Sequence, residues 1–380
     1  MTPDLQDILP KDAAALLVGR VWSNAVGGPV PVLVKGGELY DITSLSPTLS
    51  GLLELPDLVQ RLATNFPHLG ALSDFSGPGA AGQLLAPCDL QAVKAAGVTF
   101  AGSMIERVIE ERAKGNPDKA DAIRKDLADL LGGSLRGVVP GSALAAEVKQ
   151  KLQQAGMWSQ YLEVGIGPDA EVFTKAQPMS AVGCGADVGI HPISHWNNPE
   201  PEVVLAVNSK GTIVGATLGN DVNLRDVEGR SALLLGKAKD NNGAAAIGPF
   251  IRLFDATFSM ADVERLTVSL KISGDDGFEL SAISDMGQIS RPPAQIVQQT
   301  INRNHQYPDG FMLYLGTMFA PTKDRDGAGQ GFTHHSGDIV EIASPELGRL
   351  INRVMPCNEI PEWTFGTRSL MENLARRGLL

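Results

Sequence analysis

Cysteine is scarce in this sequence, and long apolar runs are absent. The 380 residues include three cysteines, Cys88, Cys184 and Cys357, which are odd in number, widely spaced and without a Cys-x-x-Cys motif. This usage excludes a disulfide scaffold and is typical of a reducing compartment. The N-terminus lacks a basic region followed by an apolar run, and no apolar stretch approaches membrane-spanning length. We therefore expect a cytoplasmic protein that does not contact a membrane.

An excess of basic residues is also lacking. The formal net charge is −11 and no basic stripe balances it, which argues against a nucleic-acid partner. The sequence has no Gly-x-x-x-x-Gly-Lys-Ser/Thr phosphate loop, no His-Glu-x-x-His and no Gly-x-Ser-x-Gly nucleophile elbow. The segment 324–327 begins like a calcium loop, but His335 stands where a bidentate glutamate is needed, so we interpret it as a turn.

The chain is long enough for two or three domains, and its composition is that of an ordinary globular protein. Short β-like runs up to residue 43, followed by helical segments near 46–65, predict a small α+β domain over residues 1–85. Residues 86–380 form the predicted main domain. We therefore expect a chain that is α+β and mostly β.

A helical, highly charged insertion is predicted at about 104–160, within the main domain. Asn116-Pro117 is typical of a helix start, and Gly132-Gly133 and Pro140-Gly141 are breaks. The insertion is interpreted as a lid or an oligomer contact, with a solvated surface insertion as the alternative. Beyond Val164 the apolar runs are short, rich in Val, Ile and Thr, and separated by Gly and Pro, which favours β structure.

Three acidic residues stand out within this β region. Glu200 and Glu202 lie two apart in a predicted strand, so that both carboxylates point to one face. A tight turn at 208–211 would pair Glu200 with Gly219 and Glu202 with Thr217, and would place Asp221 diagonally beside Glu200 on the same face.

Three carboxylates on one face repel one another unless a cation neutralises them. Oxygen-only ligation favours a hard divalent ion, Mg²⁺ before Mn²⁺ or Ca²⁺. The alternative is that Glu200 and Glu202 line the solvated face of a surface hairpin.

Six segments, two of which contain the three acidic residues, resemble the fumarylacetoacetate hydrolase family. They occur in that family's order and cover residues from about 85 to 357. They are Phe173-Thr-Lys175, Pro199-Glu-Pro-Glu-Val203, Gly219–Asp226, Ala238-Lys239 with Gly248-Pro249, Gly316-Thr317, and Ser336–Glu341 with Leu350–Val354. The resemblance implies a flattened β-roll domain and homo-oligomers built from dimers, either a homodimer or a dimer of dimers. It also implies a Mg²⁺ ion, with Mn²⁺ as the alternative, held by Glu200, Glu202 and Asp221.

The resemblance further assigns substrate-binding residues. In the family, the metal is chelated by the carboxylate and 2-keto oxygen of a 2-oxo acid. Lys239 aligns with a lysine that faces the substrate, with an exposed surface lysine as the alternative. Gly316-Thr317 matches a turn that offers a backbone N–H and a hydroxyl to the substrate carboxylate, and Lys175 is a weaker candidate with a structural role as its alternative.

Two departures from the family pattern bear on the reaction. Hydrolases of the family show Asn-Tyr-x-x-His-x-x-Glu at the lid, whereas this chain has Thr99-Phe-Ala-Gly-Ser103-Met-Ile-Glu106. Because serine is no general base without a partner, Ser103 and Glu106 do not assemble a hydrolytic dyad. Glu106, with its pKa raised in a desolvated pocket, would suit an elimination, with a helix-surface glutamate as the alternative. The second departure is Asn242, where family members often carry Asp, and we interpret it as lowering the negative charge near the site.

These features resemble the 2-keto-3-deoxy-pentonate dehydratase branch of the family. The predicted activity is that of a hydro-lyase in pentose catabolism, which converts a 2-keto-3-deoxy-D-pentonate of the arabinonate or xylonate type to 2,5-dioxopentanoate. Three alternatives stay open. They are hydrolysis of a 2,4-diketo-3-deoxy sugar acid with release of pyruvate, decarboxylation of a 2-oxo acid, and a non-catalytic metal-stabilised scaffold.

Overall fold

A computed structural model describes residue 5 and residues 7–76, 80–100, 109, 122–123, 125–126, 138–318, 323–327 and 331–380. The strands in these ranges are β1 Leu17–Ser23, β2 Gly28–Lys35, β3 Glu38–Asp41, β4 His68–Ala71, β5 Gly82–Leu85, β6 Ala92–Gly97, β7 Glu171–Ala176, β8 Asp187–Ile190, β9 Pro201–Val207, β10 Ile213–Asp221, β11 Ala245–Leu253, β12 Thr267–Ser273, β13 Glu279–Asp285, β14 Phe311–Tyr314, β15 Ile339–Ser344 and β16 Gly348–Pro356.

The helices in the same ranges are short and connect or cover the strands. They are Leu49–Leu53, Leu58–Arg61, Ala143–Gln154, Gln160–Ile166, Arg225–Glu228, Leu235–Lys239, Met260–Val263, Pro293–Thr300 and Thr367–Arg376, with 3-10 turns at Leu72–Phe75, Ala232–Leu234 and Met286–Gln288. None of them combines the length and the apolar character needed to cross a bilayer. Among the described residues, more lie in strands than in helices, which confirms the predicted α+β, mostly β class.

The strands form two sheets. An 11-stranded sheet has the order β4-β3-β2-β1-β11-β10-β9-β14-β6-β7, with β5 also paired to β1, and a five-stranded sheet has the order β13-β12-β15-β16-β8. The pairings are antiparallel except for β14 with β6 and β16 with β8.

β9 lies inside the larger sheet and is buried along its whole length. Its side chains alternate between two hydrophobic clusters: Val203, Leu205 and Val207 belong to one, and Val204 and Ala206 to the other. Successive side chains of a strand point to opposite faces, so apolar residues cover both faces of the sheet at this strand. The strand that carries two of the acidic residues is therefore held firmly in place.

The strands of the predicted N-terminal domain lie in the same sheet as the main domain. β1 pairs with β11, with Leu17 opposite Arg252 and Val18 opposite Ile251. The boundary at residue 85 stays a prediction, but the larger sheet continues across it.

The predicted helical insertion is described only in part. Its last part contains the helices Ala143–Gln154 and Gln160–Ile166, and the second of these continues past the predicted end at residue 160. Leu152 and Leu162 belong to a small hydrophobic cluster of their own, separate from the two clusters at the sheet. The helix Gln160–Ile166 is thus supported mainly by other residues of the insertion.

Candidate metal centre and substrate cavity

Glu200, Glu202 and Asp221 come together where β9 begins and β10 ends. The predicted pairing of Glu200 with Gly219 and of Glu202 with Thr217 is wrong by two residues. Gly219 pairs with Glu202 instead, and the Asp221 N–H donates to the carbonyl oxygen of Glu200 at 3.0 Å.

The two-residue shift arises in the connection between these strands. The Asn208 N–H donates to the carbonyl oxygen of Thr212, so the chain reverses over five residues rather than four. An irregularity between Ile213 and Gly215 adds a second residue. Because side chains alternate with a period of two, a shift of two residues leaves every side chain on its predicted face. The third carboxylate thus lies directly opposite the first, rather than diagonal to it.

The three carboxylates are arranged as a metal site would need. One oxygen from each of Glu200, Glu202 and Asp221 lies within 4.8 Å of the others, and the residues are only 6%, 3% and 2% exposed. Burial, together with the charges of Asp221 and Glu200, raises the pKa of Glu202 well above its ordinary value. Three buried carboxylates that offer only oxygen ligands fit a hard divalent cation such as Mg²⁺. The residues present therefore fit the predicted ion.

Lys239 is buried against two of these carboxylates. Its Nζ donates to Glu200 Oε2 and, at 3.1 Å, to Asp221 Oδ2. Burial alone would lower the pKa of Lys239, but the Asp221 and Glu200 carboxylates outweigh that effect and hold it above its ordinary value. The ammonium group shows that these two carboxylates accept a cation between them. The alternative of an exposed surface lysine is wrong.

Lys175 forms a buried ion pair with Asp221. Its side chain is fully buried, and Nζ lies 2.8 Å from Asp221 Oδ1. The same ammonium group donates to the carbonyl oxygens of Val222 and Lys239. Lys175 therefore positions Asp221 and ties it to the two neighbouring segments of the chain.

The predicted Gly316-Thr317 turn closes the other side of the triad. The Gly316 N–H donates to Glu202 Oε2 at 2.6 Å. Gly316 has φ +88°, and a Cβ there would lie 2.2 Å from Thr99 Oγ1, which itself donates to the carbonyl oxygen of Leu315. Both the positive φ and the close approach require glycine at this position.

A cavity of about 250 Å³ opens in front of the triad. It is lined by Ala96, Gly97, Val98, Gln160, Tyr161, Val164, Glu171, Phe173, Glu200, Glu202, Asp221, Glu228, Ala232, Leu235, Lys239, Gly316 and Thr317. Val98 has φ +54°, an unusual conformation for a β-branched residue, and such strain is often found at functional sites.

The cavity brings together most of the predicted site residues, with three exceptions. Ser103 and Glu106 lie outside the described residues. Lys175 is not among the described residues that line the cavity, so its predicted contact with substrate stays a prediction. Asn242 does not lie beside the triad. Its Nδ2 donates to the carbonyl oxygens of Cys357 and Pro361, so its effect on the charge of the site, as interpreted from the sequence, is wrong.

Two cavity carboxylates were not predicted from the sequence. Glu171 pairs with Gly97 across β6 and β7, and a Cβ on Gly97 would lie 2.0 Å from Glu171 Oε2. Glu228 accepts a hydrogen bond from Asn223 Nδ2 at 2.7 Å, and the same amide donates to Glu200 Oε1. The alternation of a strand places Glu171 on the same face as Phe173, a signal that would have found it.

Comparison with known proteins decides the family. Residues 148–355 match the family model described as fumarylacetoacetate (FAA) hydrolase C-terminal, which is more than half of the chain. The chain belongs to the fumarylacetoacetate hydrolase family. The triad, Lys239 and Gly316-Thr317 all fall within the matched residues of this family member.

Two curated proteins are similar to this family member. A 2-dehydro-3-deoxy-D-arabinonate dehydratase of Saccharolobus solfataricus is 32% identical over 184 residues, which are 48% of this chain and 58% of that protein. A probable 2-keto-3-deoxyxylonate dehydratase of Haloferax volcanii is 29% identical over 202 residues, or 53% of this chain and 66% of that protein. The chain thus spans somewhat less than two thirds of the length of either relative.

Solved structures show the same fold over a longer range. A 2-keto-3-deoxy-D-arabinonate dehydratase complexed with magnesium and 2,5-dioxopentanoate aligns with a TM-score of 0.61 at 22% identity, covering 90% of this chain and 99% of that chain. A fumarylacetoacetate hydrolase from Exiguobacterium antarcticum aligns with a TM-score of 0.55 at 17% identity, covering 90% of this chain and 100% of that chain. At these identities the likeness establishes the fold, and the predicted fold of the fumarylacetoacetate hydrolase family is confirmed.

Proposed function

We propose that this protein is a Mg²⁺-dependent dehydratase, a hydro-lyase of pentose catabolism that converts a 2-keto-3-deoxy-D-pentonate to 2,5-dioxopentanoate. The observation that carries the proposal is the buried triad of Glu200, Glu202 and Asp221, which opens into a cavity beside Lys239. The names of the two curated relatives support the substrate class. A cytoplasmic location and assembly from dimers stay predictions.

The charges around the triad favour a bound divalent cation. Lys239 contacts Glu200 and Asp221, and Lys175 contacts Asp221. Because Glu171 and Glu228 add two more carboxylates to the cavity wall, a divalent ion would offset part of the negative charge that an anionic 2-keto acid meets there.

Glu200, Glu202 and Asp221 would hold the ion. When bound, Mg²⁺ supplies Lewis-acid polarisation of the 2-keto group, which makes the protons on C3 acidic. Lys239, whose pKa is held above its ordinary value, presents a charged donor to the cavity. The hydroxyl of Thr317 would orient the substrate carboxylate. The N–H of Gly316 donates to Glu202 and fixes its position.

The elimination needs a base and an acid in the same cavity. The base takes a proton from C3, and the acid protonates the C4 hydroxyl, which leaves as water while a C3–C4 double bond forms. The product is an enone that still carries a CH2OH group at C5. Loss of a proton from C5 and return of a proton to C3 move the double bond to C4–C5, and this enol becomes the aldehyde by gaining a proton at C4 while its hydroxyl loses one. Glu171 lines the cavity and is not one of the triad, so it joins Glu106, Ser103 and Lys239 as a candidate for these proton transfers.

A substrate panel tests the proposal. We would assay 2-keto-3-deoxy-pentonates of both C4 configurations, and the related hexonates, with Mg²⁺ and with EDTA, and follow 2,5-dioxopentanoate and pyruvate together. Formation of 2,5-dioxopentanoate that EDTA abolishes is the expected result. Glu202→Gln should lose the activity, while Glu264→Gln, an exposed glutamate far along the chain, should keep it. A 2,4-diketo-3-deoxy-pentonate is assayed beside the panel: pyruvate from this diketo acid would identify the hydrolase, whereas pyruvate from the 4-hydroxy acids would indicate retro-aldol cleavage. The absence of 2,5-dioxopentanoate and of pyruvate with every substrate would refute both proposed activities.

A further inference from the structure

In the part of the chain that the structure describes, the cavity wall contains few uncharged side chains that can form hydrogen bonds. Among the described lining residues these are Thr317, which belongs to the predicted carboxylate turn, and two neighbours, Gln160 and Tyr161. The other neutral lining residues are apolar or glycine. A substrate whose far end carries hydroxyl groups would therefore find its neutral hydrogen-bonding partners at Gln160 and Tyr161.

Both residues lie at the start of the helix Gln160–Ile166, where local contacts fix their position. Ser159 caps this helix, its hydroxyl accepting a hydrogen bond from the Leu162 N–H. Leu162 and Ile166 are buried in the small cluster of the helical insertion. The residues at positions 160, 161 and 164 line the cavity. They lie on the opposite face of the helix from Leu162 and Ile166, because residues three or four positions apart share a helix face.

A buried arginine fixes the other end of the helix to the β domain. Arg291 is 1% exposed, and its guanidinium donates to the carbonyl oxygens of Val164 and Gly167 at 3.1 and 2.9 Å. These carbonyls lie at the end of the helix, where they have no partner within it. Arg291 precedes the helix Pro293–Thr300 of the main domain, so the cavity wall is tied to the body of the protein.

We infer that Gln160 and Tyr161 determine specificity by reading the hydroxyl groups on C4 and C5 of the substrate. This inference rests on the proposed function and goes beyond it, because it separates recognition of the 2-keto acid end from recognition of the polyol end. The charged triad, Lys239 and the Gly316-Thr317 turn hold any short 2-keto acid. The amide and phenol would distinguish a hydroxylated chain from an unsubstituted one through the hydrogen bonds that they form only with the hydroxylated chain.

The test compares two ligands of equal chain length. We would measure kcat/KM for the 2-keto-3-deoxy-pentonate that the panel identifies, and the inhibition constant of 2-oxopentanoate, which lacks both hydroxyl groups. Tyr161→Phe and Gln160→Met should each lower kcat/KM by about tenfold, the effect of one lost hydrogen bond. The inhibition constant of 2-oxopentanoate should stay within about twofold. Gln154→Met is the matched control, because Gln154 is exposed on the preceding helix and does not line the cavity.

Two results would overturn the inference. One is an unchanged kcat/KM in both variants, and the other is an equal loss for the substrate and for 2-oxopentanoate, which would assign the residues a structural role. Failure of the proposed function has a different signature. In that case the wild-type protein would neither convert the sugar acids nor bind 2-oxopentanoate in a Mg²⁺-dependent manner by titration calorimetry, whatever the variants do.

Discussion

Glu202 illustrates how a metal site can destabilise a protein that lacks its ion. Burial and the neighbouring Asp221 and Glu200 raise the pKa of Glu202 in the folded state, while the unfolded chain ionises near the ordinary value of 4.5. The metal-free protein should therefore lose stability as the pH rises above that value, because the unfolded state then releases its proton more readily.

In EDTA, the Glu202→Gln variant should lose less folding stability than the wild-type protein as the pH rises from about 5 to about 8, because the amide does not ionise. In the wild-type protein, Mg²⁺ at a hundred times its dissociation constant should add about 2.7 kcal/mol of stability, and in the variant almost none. Melting temperatures measured with EDTA and with Mg²⁺ across this pH range would show both effects. Equal stabilisation of both proteins by Mg²⁺ would place the ion elsewhere.

Lys175 is expected to support the site through its contact with Asp221. Lys175→Met would leave Asp221 and the carbonyl oxygens of Val222 and Lys239 without their buried ammonium group. We expect a loss of about 3–5 kcal/mol in the free energy of unfolding, as for other buried pairs that lose one member. Urea unfolding in Mg²⁺ would measure it, with Lys210→Met in the exposed loop as a control that should change by less than about 0.5 kcal/mol. A loss as small as that of the control would contradict the role.

At this scale the sequence predicted the triad well, because a period of two along one strand decides which carboxylates share a face. It did not predict Glu171, although the alternation of β7 places it on the same face as Phe173, or Glu228, because no motif marks the short helix Arg225–Glu228 as part of the cavity wall. The motif around Lys175 did not reveal that its ammonium group would contact Asp221, and its predicted contact with substrate stays a prediction.

Gly97 on β6 should control the position of the Glu171 side chain on the paired strand β7. Gly97→Ala would put a methyl group where Glu171 Oε2 now lies, and the carboxylate, as the end of a flexible side chain, would move aside. We expect kcat to fall by about tenfold or more, because misplaced catalytic groups are costly, while Mg²⁺ affinity and melting temperature stay nearly unchanged.

Steady-state kinetics and calorimetric titration with Mg²⁺ would separate these effects. Gly236→Ala is a suitable control, since a Cβ there meets no atom within 4 Å. A variant at Gly97 with normal kcat would remove Glu171 from the proton transfers.

Strand positions were largely predictable, whereas strand register was not. The runs at 203–207, 213–218 and 267–272 are strands as expected, because apolar β-branched residues between turn signals are a local property. The register between β9 and β10 depends on how the loop from Asn208 to Thr212 closes and on the irregularity near Val214, neither of which has a clear sequence signal. The site was nevertheless predicted, because the two errors left each side chain on its face.

An ion-pair network in the described part of the chain joins distant segments and should set acid stability. Arg325 binds Asp338 through both guanidinium nitrogens, at 2.7 and 2.8 Å, and also contacts Asp276 beside β13. Burial would raise the pKa of Asp338, but hydrogen bonds from Arg325 and His334 outweigh it and bring the value to about 2.

Asp338 should therefore stabilise the protein fully above its ordinary pKa of 3.8, and this contribution should be lost as the pH falls through about 2. Asp338→Asn should be less stable than wild type at pH 5, and the difference should shrink by about 2 kcal/mol at pH 2. Urea unfolding at the two pH values measures the change. A difference that does not depend on pH would assign Asp338 a purely structural role.

The arrangement of the whole sheet was the least predictable feature. Composition and local periodicity gave the class, but the pairing of β1 with β11 joins residues that are far apart in sequence, and no local pattern encodes such a partner. For the same reason, residues 1–85 looked like a separate domain in the sequence, although their strands extend the sheet that holds the triad.

This pairing has a consequence for biosynthesis. Leu17 and Val18 leave the ribosome long before Arg252 and Ile251, and at about 5–20 residues per second the interval lasts from roughly 10 to 50 s. During that time Leu17 and Val18 of β1 form an open stretch of sheet edge, because β5 pairs with β1 only from Arg20 to Ser23. Exposed edges of this kind recruit other chains, so translation speed and chaperone supply should govern the yield of this protein in a heterologous host.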